Sequence, residues 1–416
     1  MRFLLLLMVL TSGTASSGRT IAVTGATVWT MVGDGPVKDA TILISDGRIV
    51  SVKAHGSVAP GAVEIRAQGR TVTPALVDAA TQIGLGEVGG IDEERRGEVK
   101  SGPLGPAFSI AYGFDPEDQA VRQARADGLA WALIYPSGSA SAPFDGTAAL
   151  VRLGRESAAV ERPSAALVIT VAGAEAGRVG GSSAAAWQLV RNALDEARSY
   201  RPSTKPGLPR DQLLNHLDAR ALRPVLAGTL PVIVNCDRLA DIRQAIALAR
   251  DYRLRMILLG GAEAWAAAPE LAKADIPVIL DPLDTLPDSY DRLGVRPDGA
   301  ALLHKAGVAL AFSVSAQGIY RSWDAGPSLR EGAGLAVAAG LPYPAALAAI
   351  TSAAAKVLGL PPKAGTLGPG AAADLVIWDG DPLEPSSAPV LVMIDGEEVS
   401  PATRQTLLRD RYAPHR

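Results

Sequence analysis

Apolar and polar positions alternate in short runs at both ends of this chain and follow a different rule in the middle. Near the start, Ile21–Val23, Gly25–Thr30, Thr41–Ile44 and Asp46–Val50 read as short strands. Asp46-Gly47 between two such runs is a hairpin signal, because both residues of the favoured two-residue turn need a positive φ. Ala373–Trp378 and Leu391–Val399 repeat the texture near the end. Between them lie unbroken apolar runs: Trp131–Tyr135, Ala166–Val171, Pro231–Cys236, Arg255–Gly261, Pro277–Asp281 and Val308–Ser313. Helical stretches near 116–127, 183–200, 238–252 and 263–273 alternate with them. Apolar strands without alternation predict a parallel sheet buried on both faces. About eight such units suit a closed barrel; the open doubly wound sheet is the competing arrangement, and no GxGxxG follows a strand to support it. The fold class expected is α/β: a (β/α)8 TIM barrel with a small composite β-sandwich domain formed by both termini.

Composition narrows the function. Hydrophobic residues make up 48% of the 416, enough for a large core. A net charge of -3 provides no basic field for nucleic acid. The single cysteine, Cys236, excludes a disulfide framework and thiolate zinc clusters. Four histidines, His55, His216, His304 and His415, leave little for a His-rich metal site. Met1-Arg2, the apolar run Phe3–Leu10 and the small residues through Ser17 predict a cleavable signal peptide without a lipobox cysteine, hence a secreted, periplasmic protein. No later run is long enough for a membrane span. The expected division is 1–17 signal peptide, 18–73 first part of the sandwich, 74–361 barrel, 362–405 second part of the sandwich and 406–416 tail.

Particular stretches then become familiar. Gly69–Asp78, with Ile44–Val52 before it, resembles the entry and first barrel strand of the metal-dependent amidohydrolase superfamily. Gly365–Gly370 and Ala373–Leu383 resemble that superfamily's return to its terminal β-domain, and Ala354–Leu360 its last barrel helix. The likeness spans nearly the whole mature chain and is nearest to the exported imidazolonepropionase-like branch. It implies a hydrolase of carbon–nitrogen bonds other than peptide bonds, working through zinc or another divalent metal.

The residues that would carry that chemistry are replaced. By the resemblance, strand 1 ends in Asp-x-His-x-His; here Asp78 is followed by Ala80 and Gln82. The histidine of strand 5 is replaced within Asn235-Cys236-Asp237, that of strand 6 by Gly260, and the aspartate of strand 8 aligns with Ser315. The histidines present lie elsewhere and read as surface or capping residues. The strand 4 region offers no lysine for carbamylation. Cys236 and Ser315 lack a histidine partner in sequence, so each reads as core or cap before nucleophile. Mouth carboxylates are better candidates, Asp78, Asp237 and Glu263 foremost, with Asp281 and Asp284 near them; each is also a plausible helix cap. The expected pocket is Asp78, Gln82, Glu87, Asn235, Asp237, Gly260, Glu263 and Ser315, with no metal ligand and no cofactor. The long segment Glu87–Gly113 reaches over the mouth or is a solvated loop. The function expected is a non-catalytic periplasmic homologue. Its implied partners are a small-molecule ligand, a second copy of itself or a catalytic amidohydrolase paralogue. The alternative is a hydrolase of cyclic amides or dipeptide-like substrates with rebuilt, metal-independent carboxylate chemistry.

Overall fold

A computed structural model describes residues 19–33, 35–86, 96–101, 104–138, 143–154, 157–171, 179, 181–201, 213–314 and 323–413. The signal-peptide segment lies outside the described residues.

Strands β1 (Thr20–Val28), β2 (Val37–Ser45), β3 (Arg48–Ala54), β4 (Val63–Arg66) and β5 (Thr71–Pro74) open the chain. The barrel strands follow: β6 (Leu76–Thr81), β7 (Leu129–Ile134), β8 (Phe144–Leu153), β9 (Ala158–Thr170), β10 (Val232–Cys236), β11 (Met256–Gly260), β12 (Val278–Leu280) and β13 (Leu310–Phe312). Strands β14 (Leu375–Trp378), β15 (Pro389–Ile394) and β16 (Glu397–Glu398) close the set. Helices α1 (Gln119–Ala126), α2 (Ser183–Ser199), α3 (His216–Leu226), α4 (Leu239–Tyr252), α5 (Ala268–Lys273), α6 (Gly299–Lys305), α7 (Ala325–Ala338), α8 (Tyr343–Ala349) and α9 (Ser352–Val357) surround the barrel, and α10 (Arg404–Tyr412) ends the chain.

The two ends of the chain share one eight-stranded sheet, in the order β16-β15-β14-β5-β1-β2-β3 with β4 also on β1. The expected sandwich is therefore one continuous hydrogen-bonded sheet. Its junction is the antiparallel pairing of Leu375–Trp378 with Thr71–Pro74, and Ile21, Ile42 and Val72 bury against Leu375, Ile377 and Met393. The Asp46-Gly47 turn has φ of 50° and 71°, as a two-residue hairpin turn requires.

The second sheet runs β6 to β13 in chain order, and β13 packs back beside β6 to complete the ring. Alternation along its strands divides the core. Ile233, Ile257, Leu259, Ile279 and Ala311 face the interior, whereas Val232, Val234, Leu258, Val278 and Phe312 face the helices. One strand departs from the expected βα repeat. β8 pairs antiparallel with both β7 and β9, so β7-β8-β9 form a meander instead of three crossover units. The segment read as a tail also differs, since Thr403 caps α10 with a reciprocal Thr403–Thr406 box. Among the described residues, no helix is long and apolar enough to cross a membrane.

Candidate functional site at the barrel mouth

The inward-facing register turns polar where the strands end. Continuing each strand by two residues leads from Leu133 to Tyr135, from Ile233 to Asn235 and from Ile279 to Asp281. All three line a cavity of about 200 Å³ at this end of the barrel, with Asp237, Gly260 and Trp265 and with the 281–299 loop that returns over it. The C-terminal end of the strands is where barrels of this kind place their chemistry.

Asn235, Asp237 and Gly260 meet there. Asp237 Oδ1 accepts the backbone N–H of Ala262 at 2.9 Å, which pins the β10–α4 turn to the end of β11. Gly260 has φ +82°, and a Cβ on it would lie 2.9 Å from Asp237 Oδ1 and 3.1 Å from Asn235 Oδ1. Two side-chain oxygens thus converge over a position that has no side chain. Burial pushes the Asp237 carboxyl above the usual carboxylate range, and the nearby Asp284 and Asp291 add to this. The Ala262 N–H and the Arg292 guanidinium pull it back down.

Asp78 sits on β6 and is fully buried. Its Oδ1 accepts the Ala80 N–H at 3.2 Å, and its Oδ2 has no hydrogen-bond partner. Burial, opposed by the backbone N–H groups of Ala80 and Val314, raises this carboxyl to about 8, and the Asp281 charge contributes to the rise. Asp78 is therefore a neutral acid at pH 7, placed behind the cavity wall and not on it. Burial, with the charges of Asp281 and Asp145 nearby, also holds the Tyr135 phenol in its protonated form.

Other expected pocket residues stand apart. Gln82 lies at the end of β6, 9% exposed and outside the cavity. Glu263, expected as a pocket residue and weak acid–base candidate, is a helix cap instead. Its Oε2 accepts the Leu239 N–H at 2.7 Å, because the N-cap residue of α4, Arg238, offers no side-chain acceptor. Glu87 and Ser315 lie outside the described residues. Cys236 is fully buried, and burial together with Asp237 and Asp241 raises its thiol, the opposite of what a nucleophile needs. His55, His216 and His304 are exposed, while His415 lies outside the described residues.

Sequence reasoning missed much of the wall. Tyr135 was within reach, as the next inward position after Leu133. Trp265, Arg292 and Arg296 arrive through loop packing that no local pattern announces. Arg292 is tied to Asp284 through both the Asp284 carboxylate and its backbone carbonyl. Arg296 lies 4.7 Å over the Trp265 ring and donates to Asp298 at 2.7 Å.

The donor set at the mouth does not suit a metal. Zinc takes nitrogen or sulfur ligands, and hard cations take several oxygens. Ala80 packs into the interior apolar cluster, Gly260 has no side chain, and Asn235 and Asp237 are the donors left at these positions on the wall. Among the described residues, no group of three His, Cys, Asp or Glu is placed to hold a metal ion.

Comparison with known proteins agrees with the fold. The Amidohydrolase family model matches residues 320–400. The chain is 25% identical over 382 residues to the amidohydrolase tasK of Hapsidospora irregularis, covering 82% of this chain and 38% of that protein. It thus spans well under half the length of this curated relative. The crystal structure of an amidohydrolase from Thermotoga maritima MSB8 superposes with a TM-score of 0.80 at 25% identity, over 91% of this chain and 99% of that one. A prolidase complexed with N-methylphosphonate-L-proline (TM-score 0.53, 18% identity, 92% and 99% covered) and molinate hydrolase (0.56, 16%, 92% and 95%) share the fold. The barrel, the terminal sheet and these sequence matches agree in likening the chain to the amidohydrolase superfamily, and the positions on β6, β10 and β11 that align with that superfamily's metal ligands hold no imidazole.

Proposed function

We propose that this protein is an exported, metal-free amidohydrolase homologue that holds a small polar molecule at the barrel mouth. The observation that carries this reading is the Gly260 corner. The family's hydrolysis needs a metal to lower the pKa of its water. Here a ligand side chain at 260 would enter at φ +82° and meet the oxygens of Asp237 and Asn235 within about 3 Å. The space of the strand 6 ligand has been given to a carboxylate and a carboxamide, and a cavity remains in front of them. Export rests on the leader sequence.

A metal-independent hydrolase acting on cyclic amides or dipeptide-like substrates is the second reading. It is favoured by one observation, the neutral Asp78 acid beside the charge of Asp281, since two carboxyls held in different protonation states can divide acid and base roles.

Metal analysis tests the first reading. Protein isolated without chelator should carry less than about 0.1 zinc per chain, because the mouth lacks nitrogen and sulfur ligands. EDTA should leave its thermal midpoint unchanged, since an ion that does not bind the native state cannot stabilise it. Stoichiometric zinc in native mass spectrometry would overturn the reading. Turnover of cyclic amides or dipeptides by zinc-free protein would select the second one.

A further inference from the structure

The geometry points to a small organic cation, a protonated amine or amidinium, as the ligand class of the mouth cavity, an inference that rests on the metal-free reading above. Two positive side chains line the cavity and both are already committed. Arg292 gives its Nη groups to Asp284, with its Nε 3.7 Å from Asp288. Arg296 is paired with Asp298 and lies over Trp265. Each guanidinium is thus largely neutralised by carboxylates of its own loop, and the Arg292 Nε, which makes no hydrogen bond, is buried away from the cavity.

The negative side is different. Asp237 has one backbone N–H on Oδ1 and no ion pair within salt-bridge distance among the described residues. Asn235 places its Oδ1 at the same spot above Gly260. Two acceptor oxygens on one side of a cavity, one of them charged, suit a group that carries several N–H donors. Asp281 adds a second carboxylate to the lining. A carboxylate or phosphate ligand would meet acceptors and like charge here. An ammonium or amidinium finds hydrogen-bond partners and a favourable field.

The test uses the full mature chain and four probes of similar size: n-butylamine, butyramidine, n-butanol and butyrate. The two cations should titrate to saturation and raise the melting temperature, while butanol and butyrate should do neither. Asp237→Asn keeps an oxygen for the Ala262 N–H and removes only the charge. It should weaken both cations at least tenfold, with an unchanged circular dichroism spectrum. Asn235→Ala should weaken them less, by about two- to fivefold, as expected for loss of a neutral acceptor. Zinc content measured on the same sample separates the two kinds of failure. Zinc-free protein that binds butyrate, binds no amine, or binds amines equally well as Asp237→Asn overturns the cation assignment alone. Stoichiometric zinc at the mouth overturns the metal-free reading and the assignment with it.

Discussion

Asp78 shows what one buried carboxyl does to the stability of this protein. Its pKa stands at about 8 against an ordinary 3.8 because burial disfavours the charged form. Between those two values the unfolded chain has released the proton and the folded chain still holds it. The folded state then binds more protons, so stability falls as pH rises through this window. Below about pH 4 both states are protonated, and above about pH 8 both are ionised. Asp78→Asn keeps the acceptor for the Ala80 N–H and cannot ionise. Relative to the native protein it should therefore gain stability between pH 5 and pH 8, on the order of 2–4 kcal/mol by the linkage relation. Urea unfolding at several pH values measures this; parallel curves for the two proteins would remove Asp78 from the account. This residue was legible in the sequence as part of a familiar strand end, but its protonation was not. Desolvation depends on the neighbours that the barrel packs around it.

At the scale of elements, the terminal sheet exists because each end of the chain supplies too few strands to be stable alone. β14 lies between β5 and β15, and Ile49 and Gly370 exchange backbone hydrogen bonds with the partner segment, Ile49 N to Ala371 O and Gly370 N to Ile49 O. Ending the chain before Gly365 would bare the whole edge of β5 and strip Leu375, Ile377 and Met393 from the core of the sheet. Such a truncation should accumulate as insoluble protein, because an unpaired apolar edge recruits other chains. A soluble truncated protein with a cooperative melt would refute that dependence. The strands of this sheet could be read from alternation and from the Asp-Gly turns. β8 could not. All ten of its residues are buried, so it presents no alternation, and an Ala-, Leu- and Val-containing run of that length does not distinguish strand from helix.

At the scale of the whole molecule, apolar packing of Val376, Trp378, Val392 and Ile394 against the barrel is joined by two cations placed between the two parts. Arg152 of β8, about one-tenth exposed, donates to Asp374 and Asp395 at 2.8 and 3.0 Å and lies 4.9 Å over the Trp131 ring. Arg330 of α7 donates to the carbonyls of Pro382 and Ser387 and lies 4.7 Å over Trp378. The terminal sheet is thus anchored to the barrel wall, and the mouth at the other end of the strands is built on a supported frame. The loss of the family's ligands was visible in the sequence because motif order located the positions. The cavity wall was not, because the 281–299 loop folds over the mouth from a distant part of the ring. The meander carries a further consequence, which concerns the order of assembly. Parallel neighbours must wait for a crossover of tens of residues, whereas β7, β8 and β9 are joined by short connections and close small loops. Residues 129–170 should therefore be the first part of the barrel to gain amide protection in pulse-labelled refolding. Earlier protection of β10–β13 would show that the parallel half nucleates the ring. If the meander leads, this barrel grows from a ready-made template, with each later strand adding to an existing edge.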